Sequence, residues 1–168
     1  MGEVLQLGIV ASGPPIPPVL EETTFVEAGE VSFGVEYRVL TDEVIESSTV
    51  ELDPDRPTGF DSRGFTIHVY ETRGHREYLR FDCFDNDPHY HYITPGEVNR
   101  VIAYDVAGNG DMWAWTLECL RSRLPAMLEK AGAAGLAKKV DAERVLGVIP
   151  RVIELAHRGA EIGAGAPR

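Results

Sequence analysis

Three carboxylates, one thiol and two imidazoles lie close together in one short stretch of the chain. His89 and His91 are two residues apart, and on a β-strand this spacing points both imidazoles to the same face. Asp82 in the preceding strand, with Asp85 or Asp87 in the intervening turn, would complete a set of two histidines and one carboxylate. We therefore predict that these five residues include the ligands of a metal ion.

A set of two histidines and one carboxylate suits Zn²⁺, Fe²⁺ or Mn²⁺ and leaves coordination positions for water or substrate. Such an ion could activate water or polarise a carbonyl group of a small polar substrate. In the alternative interpretation, the aspartates cap turn amides while the histidines and tyrosines stack on an exposed sheet face. The His-x-His pattern is common in soluble proteins, so both interpretations stay open, as does the question of enzymatic activity.

A small polar ligand is the second candidate occupant of the same sheet face. We predict a shallow polar and aromatic platform on that face, formed by His68, Tyr70, Tyr78, Arg80 and Asp82. Arg80 and Tyr92 would be supporting groups of the metal site, and Tyr92 is a further candidate for ligand binding. Arg80 could bind a carboxylate or phosphate through its planar fork, and an imidazole could shuttle protons. The competing interpretation is a cross-strand network that merely solvates an exposed face.

Other catalytic motifs are missing from the sequence. There is no Gly-x-Ser-x-Gly elbow, and Gly108-Asn109-Gly110 lacks the residues that complete a phosphate-binding loop, so we expect no nucleotide cofactor. Cys83 and Cys119 form no Cys-x-x-Cys pair, which argues against a disulfide framework. Cys83 falls on the apolar face of its predicted strand and is interpreted as a small core residue.

The predicted site lies at the end of a β-hairpin whose two strands flank residues 72–76. One register places apolar pairs on one face: Phe65 with Cys83, Ile67 with Phe81 and Val69 with Leu79. The same register places polar and aromatic pairs on the other face: Tyr70 with Tyr78, His68 with Arg80 and Thr66 with Asp82. A slip of one residue would mix the two sets, so the pattern specifies this register.

Alternating or β-rich patterns predict further strands over residues 31–39, 44–52, 89–93 and 100–106. After Asp111 the period becomes helical, with Pro125 expected to divide the first helix and Pro150 expected to interrupt the second. The sequence thus predicts an α+β fold, in which an antiparallel sheet of four or five strands packs one face against two C-terminal helices. We predict one domain over residues 31–162, with the sheet in 31–106, the helices in 111–159 and a disordered tail in 163–168.

Residues 1–30 carry five acidic residues, no basic residue and a proline-rich run, which favours an extended acidic arm. The arm could lie on a partner, fray, or cross the protein's own core. The first possibility gives the alternative function, a non-catalytic accessory or regulatory subunit that docks through this arm and the C-terminal helices. A homo-oligomer is compatible with the same surfaces.

The segment from Arg80 to His91 resembles the histidine-rich strand of small bacterial toxin–antitoxin proteins of the TumE type. The residues that carry this resemblance are Arg80-Phe81-Asp82, Asn86, Pro88, His89 and His91. It is confined to this segment and implies a partner-bound accessory protein.

The chain has 168 residues and a formal charge of −11, which argues against nucleic acid or anionic membrane as partners. Residues 1–110 hold 20 acidic and 7 basic residues, so the sheet region suits a cation or a basic partner. The sequence shows no signal-peptide pattern and no apolar run of about 18 residues that could cross a bilayer. The expected location is cytoplasmic.

Overall fold

The computed structural model describes residues 9–12, 15–48, 52, 54–55, 58–94 and 99–165, with only the backbone described for 9–12. Within these residues one antiparallel sheet has the strand order β1-β7-β6-β5-β4-β3-β2. The strands are β1 (Ile9–Ser12), β2 (Thr24–Ala28), β3 (Val31–Thr41), β4 (Asp61–Glu71), β5 (Glu77–Phe84), β6 (His89–Tyr92) and β7 (Arg100–Ala103). The predicted α+β class is confirmed, and the sheet has seven strands instead of four or five.

Strands β2 to β7 follow one another as a meander, whereas β1 lies at the far edge beside β7. The part of the chain predicted to be an arm therefore supplies both edge strands. Gly29, with φ of 75°, opens the two-residue turn between β2 and β3, a position that favours glycine. Between the edge strands, residues 15–23 cross the polar face of the sheet, and we call this segment the strap.

The apolar face of the sheet packs on helices. The helices are α1 (Asp42–Ser47), α2 (Val106–Asn109), α3 (Met112–Glu118), α4 (Leu124–Lys130), α5 (Ala134–Ala137) and α6 (Ala142–Ala164), with a short 3₁₀ turn at Leu20–Glu22. Phe33, Ile67 and Phe81 of the sheet are fully buried in one core together with Ile149 and Val152 of α6. No helix in the described part of the chain is long and apolar enough to span a membrane.

The two prolines act differently on the predicted helices. A π-helical turn (Cys119–Arg123) separates α3 from α4, and Pro125 lies in the first turn of α4, where its missing N–H costs little. Helix α6 continues through Pro150, so the predicted interruption is wrong. Pro150 is exposed, so water can reach the carbonyl that loses its partner there. Helix α6 also includes Gly163 and Ala164, which were predicted to be disordered.

The strand predicted over residues 44–52 is wrong where the structure describes it. Thr41 caps α1 by accepting a hydrogen bond from the Val44 backbone N–H at 3.3 Å, and Asp42 and Glu43 occupy the first turn. Acidic residues stabilise the amino end of a helix, and this local preference overrides the weak alternation. Strand β7 is also shorter than predicted, because Asp105 caps α2.

The hairpin register is confirmed except near the turn. All three apolar pairs form as predicted, and His68 and Thr66 face Arg80 and Asp82. A shift between Val69 and Tyr70 then pairs Tyr70 with Glu77 instead of Tyr78. This bulge lets the ring of Tyr78 join the hydrophobic core and brings Glu77 to the polar face.

Candidate metal centre

Two rows of polar side chains cross the face of the sheet that lies opposite the helices. The strand registers place one row in the order Glu36, Thr66, Asp82, His89. The next row contains His68, Arg80 and His91. Residues far apart in the sequence thus become neighbours because the antiparallel pairing of β3 to β6 aligns them across the sheet.

Asp82, His89 and His91 form a group that could hold a metal ion, with one ligand atom from each residue and all three atoms within 4.8 Å of one another. Asp82 Oδ2 lies 2.9 Å from His91 Nε2 and 3.2 Å from His89 Nε2. Ligands bound to one metal at about 2.0–2.2 Å lie roughly 3 Å apart when they occupy adjacent positions. The distances from Asp82 Oδ2 to the two Nε2 atoms therefore suit ligands that share one metal ion.

The other polar atoms of the three side chains each contact an oxygen atom of a neighbouring residue. Thr66 Oγ1 donates to the other carboxylate oxygen, Asp82 Oδ1, at 2.6 Å. His89 Nδ1 lies 2.7 Å from the carbonyl oxygen of Asp87, and His91 Nδ1 lies 3.0 Å from Asn99 Oδ1. Metal-bound histidines characteristically donate their second ring N–H to such oxygens.

His89 has an acceptor on both sides of its ring. The Asp87 carbonyl can only accept, so Nδ1 carries a proton, and a neutral ring then presents the lone pair of Nε2 to the Asp82 carboxylate. His89 Nε2 and Asp82 Oδ2 are then both hydrogen-bond acceptors, and they repel each other unless a positive charge lies between them. That charge is either a second proton on the ring or a metal cation.

The pKa shifts agree with this description. Burial disfavours the charged forms, but the hydrogen bonds and charges of His89 and His91 hold the pKa of Asp82 well below its usual range. Burial likewise opposes protonation of His89, yet Asp82 raises its pKa above the ordinary value. For His91 burial prevails and its pKa is lowered. Asp82 is thus an anion with one histidine that tends to hold a proton and one that does not.

The other two predicted carboxylate ligands lie outside the group. Asp85 is exposed and its Oδ1 accepts from the backbone N–H of Arg63 and of Asn86, both at 2.8 Å. Asp87 is exposed as well and reaches the site only through its carbonyl, which its left-handed backbone (φ of 50°) helps to orient. Local turn geometry thus uses Asp85 to cap the turn, and the side chain of Asp87 is not among the ligands.

Arg80 is not free to bind a substrate carboxylate. Its side chain is buried, and Nε and Nη2 each donate to Glu77 at 2.8 Å. Nη1 donates to the carbonyl of Ile16 in the strap at 2.7 Å. Glu77 and the strap therefore occupy the fork that the sequence suggested for a ligand.

The other predicted ligand-binding residues are buried too. His68 lies between two carboxylates, with Nδ1 2.5 Å from Glu77 Oε1 and Nε2 3.5 Å from Glu36 Oε2. Tyr70 is 5% exposed, and its hydroxyl has no hydrogen-bond partner among the described residues. Tyr92 is in the core on the opposite face, beneath Arg100 and Lys130. His68 and Tyr70 therefore do not form a shallow exposed platform, and Tyr78, predicted to belong to it, lies in the core.

The strap covers a charged cluster, which consists of Glu36, Arg38, His68, Glu77 and Arg80. Glu36 Oε2 accepts from the backbone N–H of Val19 at 3.2 Å and from Thr23 Oγ1 at 2.7 Å. Arg38 Nη2 donates to the carbonyl of Pro17 at 3.2 Å. The described part of the predicted arm is thus bound to its own sheet, while docking through the helices stays a prediction.

Solvent reaches the group of Asp82, His89 and His91 from the side of His89. Asp82 and His91 are 2% and 6% exposed, whereas 20% of the His89 side chain is exposed. A cavity of about 830 Å³ lies elsewhere, between the strap, Arg38 and the end of α6, and the three metal-group residues do not line it.

A family model described as a domain of unknown function (DUF7700) matches residues 25–156. The chain belongs to the DUF7700 family. The matched range contains Asp82, His89, His91 and the charged cluster but none of the strap. Comparisons of this DUF7700 member with curated proteins and with solved structures found no match.

Sequence reasoning did not identify two residues that contact the site of this DUF7700 member. Glu77 begins β5 beside the hairpin turn, and the bulge at Tyr78 turns it towards Arg80. Asn99 precedes β7 and lies outside any alternating pattern, so no sequence signal pointed to its contact with His91.

The protonation of His68 should make the stability of the fold depend on pH. Burial opposes its charged form, but the neighbouring carboxylates of Glu36 and Glu77 raise its pKa above the unfolded value of about 6.5. Because the pKa of His68 is higher in the folded than in the unfolded chain, its protonation stabilises the fold fully below about pH 6.5. This contribution is lost as pH rises through the pKa of His68 in the folded state. The difference in unfolding free energy between wild type and His68→Gln should therefore be larger at about pH 6 than at about pH 9.

Urea unfolding in the presence of a chelator measures this difference. His75→Gln is the matched control for the loss of an imidazole, because His75 is exposed in the hairpin turn. A difference between wild type and His68→Gln that stays constant or grows with pH would contradict the assignment.

Proposed function

We propose that this protein binds one divalent metal ion, Zn²⁺, Fe²⁺ or Mn²⁺, through Asp82, His89 and His91. The observation that carries the proposal is the position of His89 between a carbonyl and a carboxylate, both of which are acceptors. A metal ion satisfies the carboxylate and both Nε2 atoms at once, whereas protonation must place a separate proton on each ring.

The surroundings of the site favour a cation. Asp82 is buried and ionised, Thr66 occupies only Oδ1, and Oδ2 stays directed at the two rings. The exposed carboxylates of Asp85 and Asp87 lie in the adjoining turn, on a part of the chain with a large acidic excess. Such a field concentrates cations near the entrance to the site.

Three protein ligands leave coordination positions for water or substrate, and we propose that these positions face the solvent beside His89. A metal ion held there would lower the pKa of bound water or polarise a carbonyl of a small polar substrate. The chain's own contribution is to hold Asp82 as an anion, to anchor both imidazoles through Nδ1 and to exclude water from the side of Asp82 and His91.

Metal loading of protein purified without a histidine tag tests the proposal. We expect one equivalent of metal per chain by elemental analysis after titration with Zn²⁺, Mn²⁺ or anaerobic Fe²⁺. At a free metal concentration about 100 times Kd, the stabilisation is about 2.7 kcal/mol, or a rise in Tm of roughly 5–10 °C. The absence of stoichiometric metal together with an unchanged Tm for all three ions would refute the proposal.

Two histidine substitutions provide the matched comparison. His89→Gln removes a ligand and should abolish the metal-dependent rise in Tm. His75→Gln removes an exposed imidazole from the hairpin turn and should retain the full rise. A full metal-dependent rise in Tm in His89→Gln would show that the metal binds elsewhere.

A further inference from the structure

We propose that Asn99 is a positioning residue of the metal centre, whose side-chain amide determines which ring nitrogen of His91 carries the proton. This inference rests on the proposed metal site. Asn99 is only 5% exposed, although asparagine side chains are mostly exposed in folded proteins. Its Oδ1 lies 3.0 Å from His91 Nδ1, and both residues are buried.

The local fold explains how Asn99 reaches this ring. Strand β7 begins at the next residue, Arg100, and pairs with β6 so that Arg100 faces Tyr92 and Val101 faces His91. Asn99 therefore enters the sheet beside the end of β6, on the side of His91 that faces away from Asp82. The ring is held between Asn99 at Nδ1 and Asp82 at Nε2.

A side-chain amide can serve both states of the histidine. With Oδ1 towards the ring, Asn99 accepts from Nδ1–H, and Nε2 offers its lone pair to a metal ion. With the amide rotated by half a turn, Nδ2–H donates to Nδ1, and Nε2–H donates to Asp82. The oxygen and nitrogen ends have almost the same shape, so this exchange needs no repacking.

The exchange is balanced in protons. One proton leaves Nε2 and one is added at Nδ1, so His91 stays neutral in both states. This differs from His89, whose partner is a backbone carbonyl that can accept but cannot donate. His89 is therefore always oriented for metal binding, while Asn99 lets His91 satisfy Asp82 when no metal is present and bind the ion when it is.

Substitution of Asn99 by leucine and by aspartate tests the proposal. Asn99→Leu keeps a similar volume without an acceptor, and we expect Zn²⁺ to bind about 10- to 100-fold more weakly. Asn99→Asp can only accept when ionised, so we expect affinity equal to or tighter than that of wild type at mildly alkaline pH. Asn109→Leu is the control, because Asn109 is exposed in α2 and should leave affinity unchanged.

Long-range ¹H–¹⁵N spectra of the histidine rings give a readout that a merely structural role would not change. We expect His91 of the metal-free wild type to be protonated at Nε2 and the Zn²⁺-loaded form to be protonated at Nδ1. Metal-free Asn99→Asp should instead carry a proton at His91 Nδ1, because an ionised aspartate there can only accept. Wild-type affinity in folded Asn99→Leu, or a metal-free His91 spectrum of Asn99→Asp identical to that of wild type, would overturn the proposal. If Asn99→Leu does not fold, a large loss of affinity in Asn99→Asp overturns it instead.

The two proposals fail separately in this design. If the wild type binds no metal, the proposed function is refuted. The metal-free spectra of wild type and Asn99→Asp then decide alone whether residue 99 controls where His91 carries its proton, since an ionised aspartate can only accept at Nδ1.

Discussion

Replacement of Asp82 by asparagine is expected to abolish metal binding while leaving the metal-free protein folded. The change removes the anionic ligand but keeps the shape of the side chain. Asn Oδ1 can still accept from Thr66, and the two N–H groups of Asn Nδ2 can donate to the lone pairs of His89 and His91. The neutral amide of asparagine thus satisfies the two ring nitrogens that a metal ion would satisfy in the wild type.

Equilibrium dialysis and calorimetric unfolding with and without Zn²⁺ measure both effects. We expect metal affinity to fall by more than about 100-fold, beyond the range seen for substitutions outside the ligands. Asp87→Asn is the matched control, since it retains the carbonyl and asparagine tolerates the positive φ at this position. Retention of the metal-dependent rise in Tm in Asp82→Asn would exclude Asp82 as a ligand.

The second large effect is expected at the buried ion pair on the same sheet face. Arg80→Met should lower the free energy of unfolding by about 3–5 kcal/mol, because it leaves a buried carboxylate without its partner. Burial opposes ionisation of Glu77, and the charge and hydrogen bonds of Arg80 are the main reason that its pKa falls to about 2. The strap also loses the hydrogen bond from Arg80 to the Ile16 carbonyl.

Urea unfolding near neutral pH measures the loss of unfolding free energy in Arg80→Met. Arg144→Met removes an exposed partner of Asp141 and should cost at most about 1 kcal/mol. The double variant Glu77→Gln/Arg80→Met should recover part of the loss, because no unpaired charge then stays buried. Additive costs in the double variant would contradict the pairing of Glu77 with Arg80.

The central hairpin and the two histidines were predictable because period-two alternation determines a face as well as a strand. Ile67 and Phe81 belong to one face and Thr66 and Asp82 to the other, so only one register keeps both sets together. The same rule placed His89 and His91 on one side of β6. This information is local, and the sequence therefore indicated the group of three residues that the structure brings together.

The remaining features depend on contacts that no local pattern encodes. The bulge at Tyr78 reflects packing of one ring in the core, and it changes the face of Glu77. Asn99 reaches His91 across a strand boundary. Arg80 looked available to a ligand because its partner in the strap, Ile16, lies 64 residues earlier in the sequence.

The placement of β1 and β2 at opposite edges of the sheet also orders the assembly of the protein during synthesis. Strands β2 and β3 can pair soon after they leave the ribosome, but Ile9 must wait for Ile102. Until then β1 lacks its partner strand and β6 has an unpaired edge. A chain stalled before residue 100 therefore presents an open sheet edge, a feature on which chaperones and proteases act.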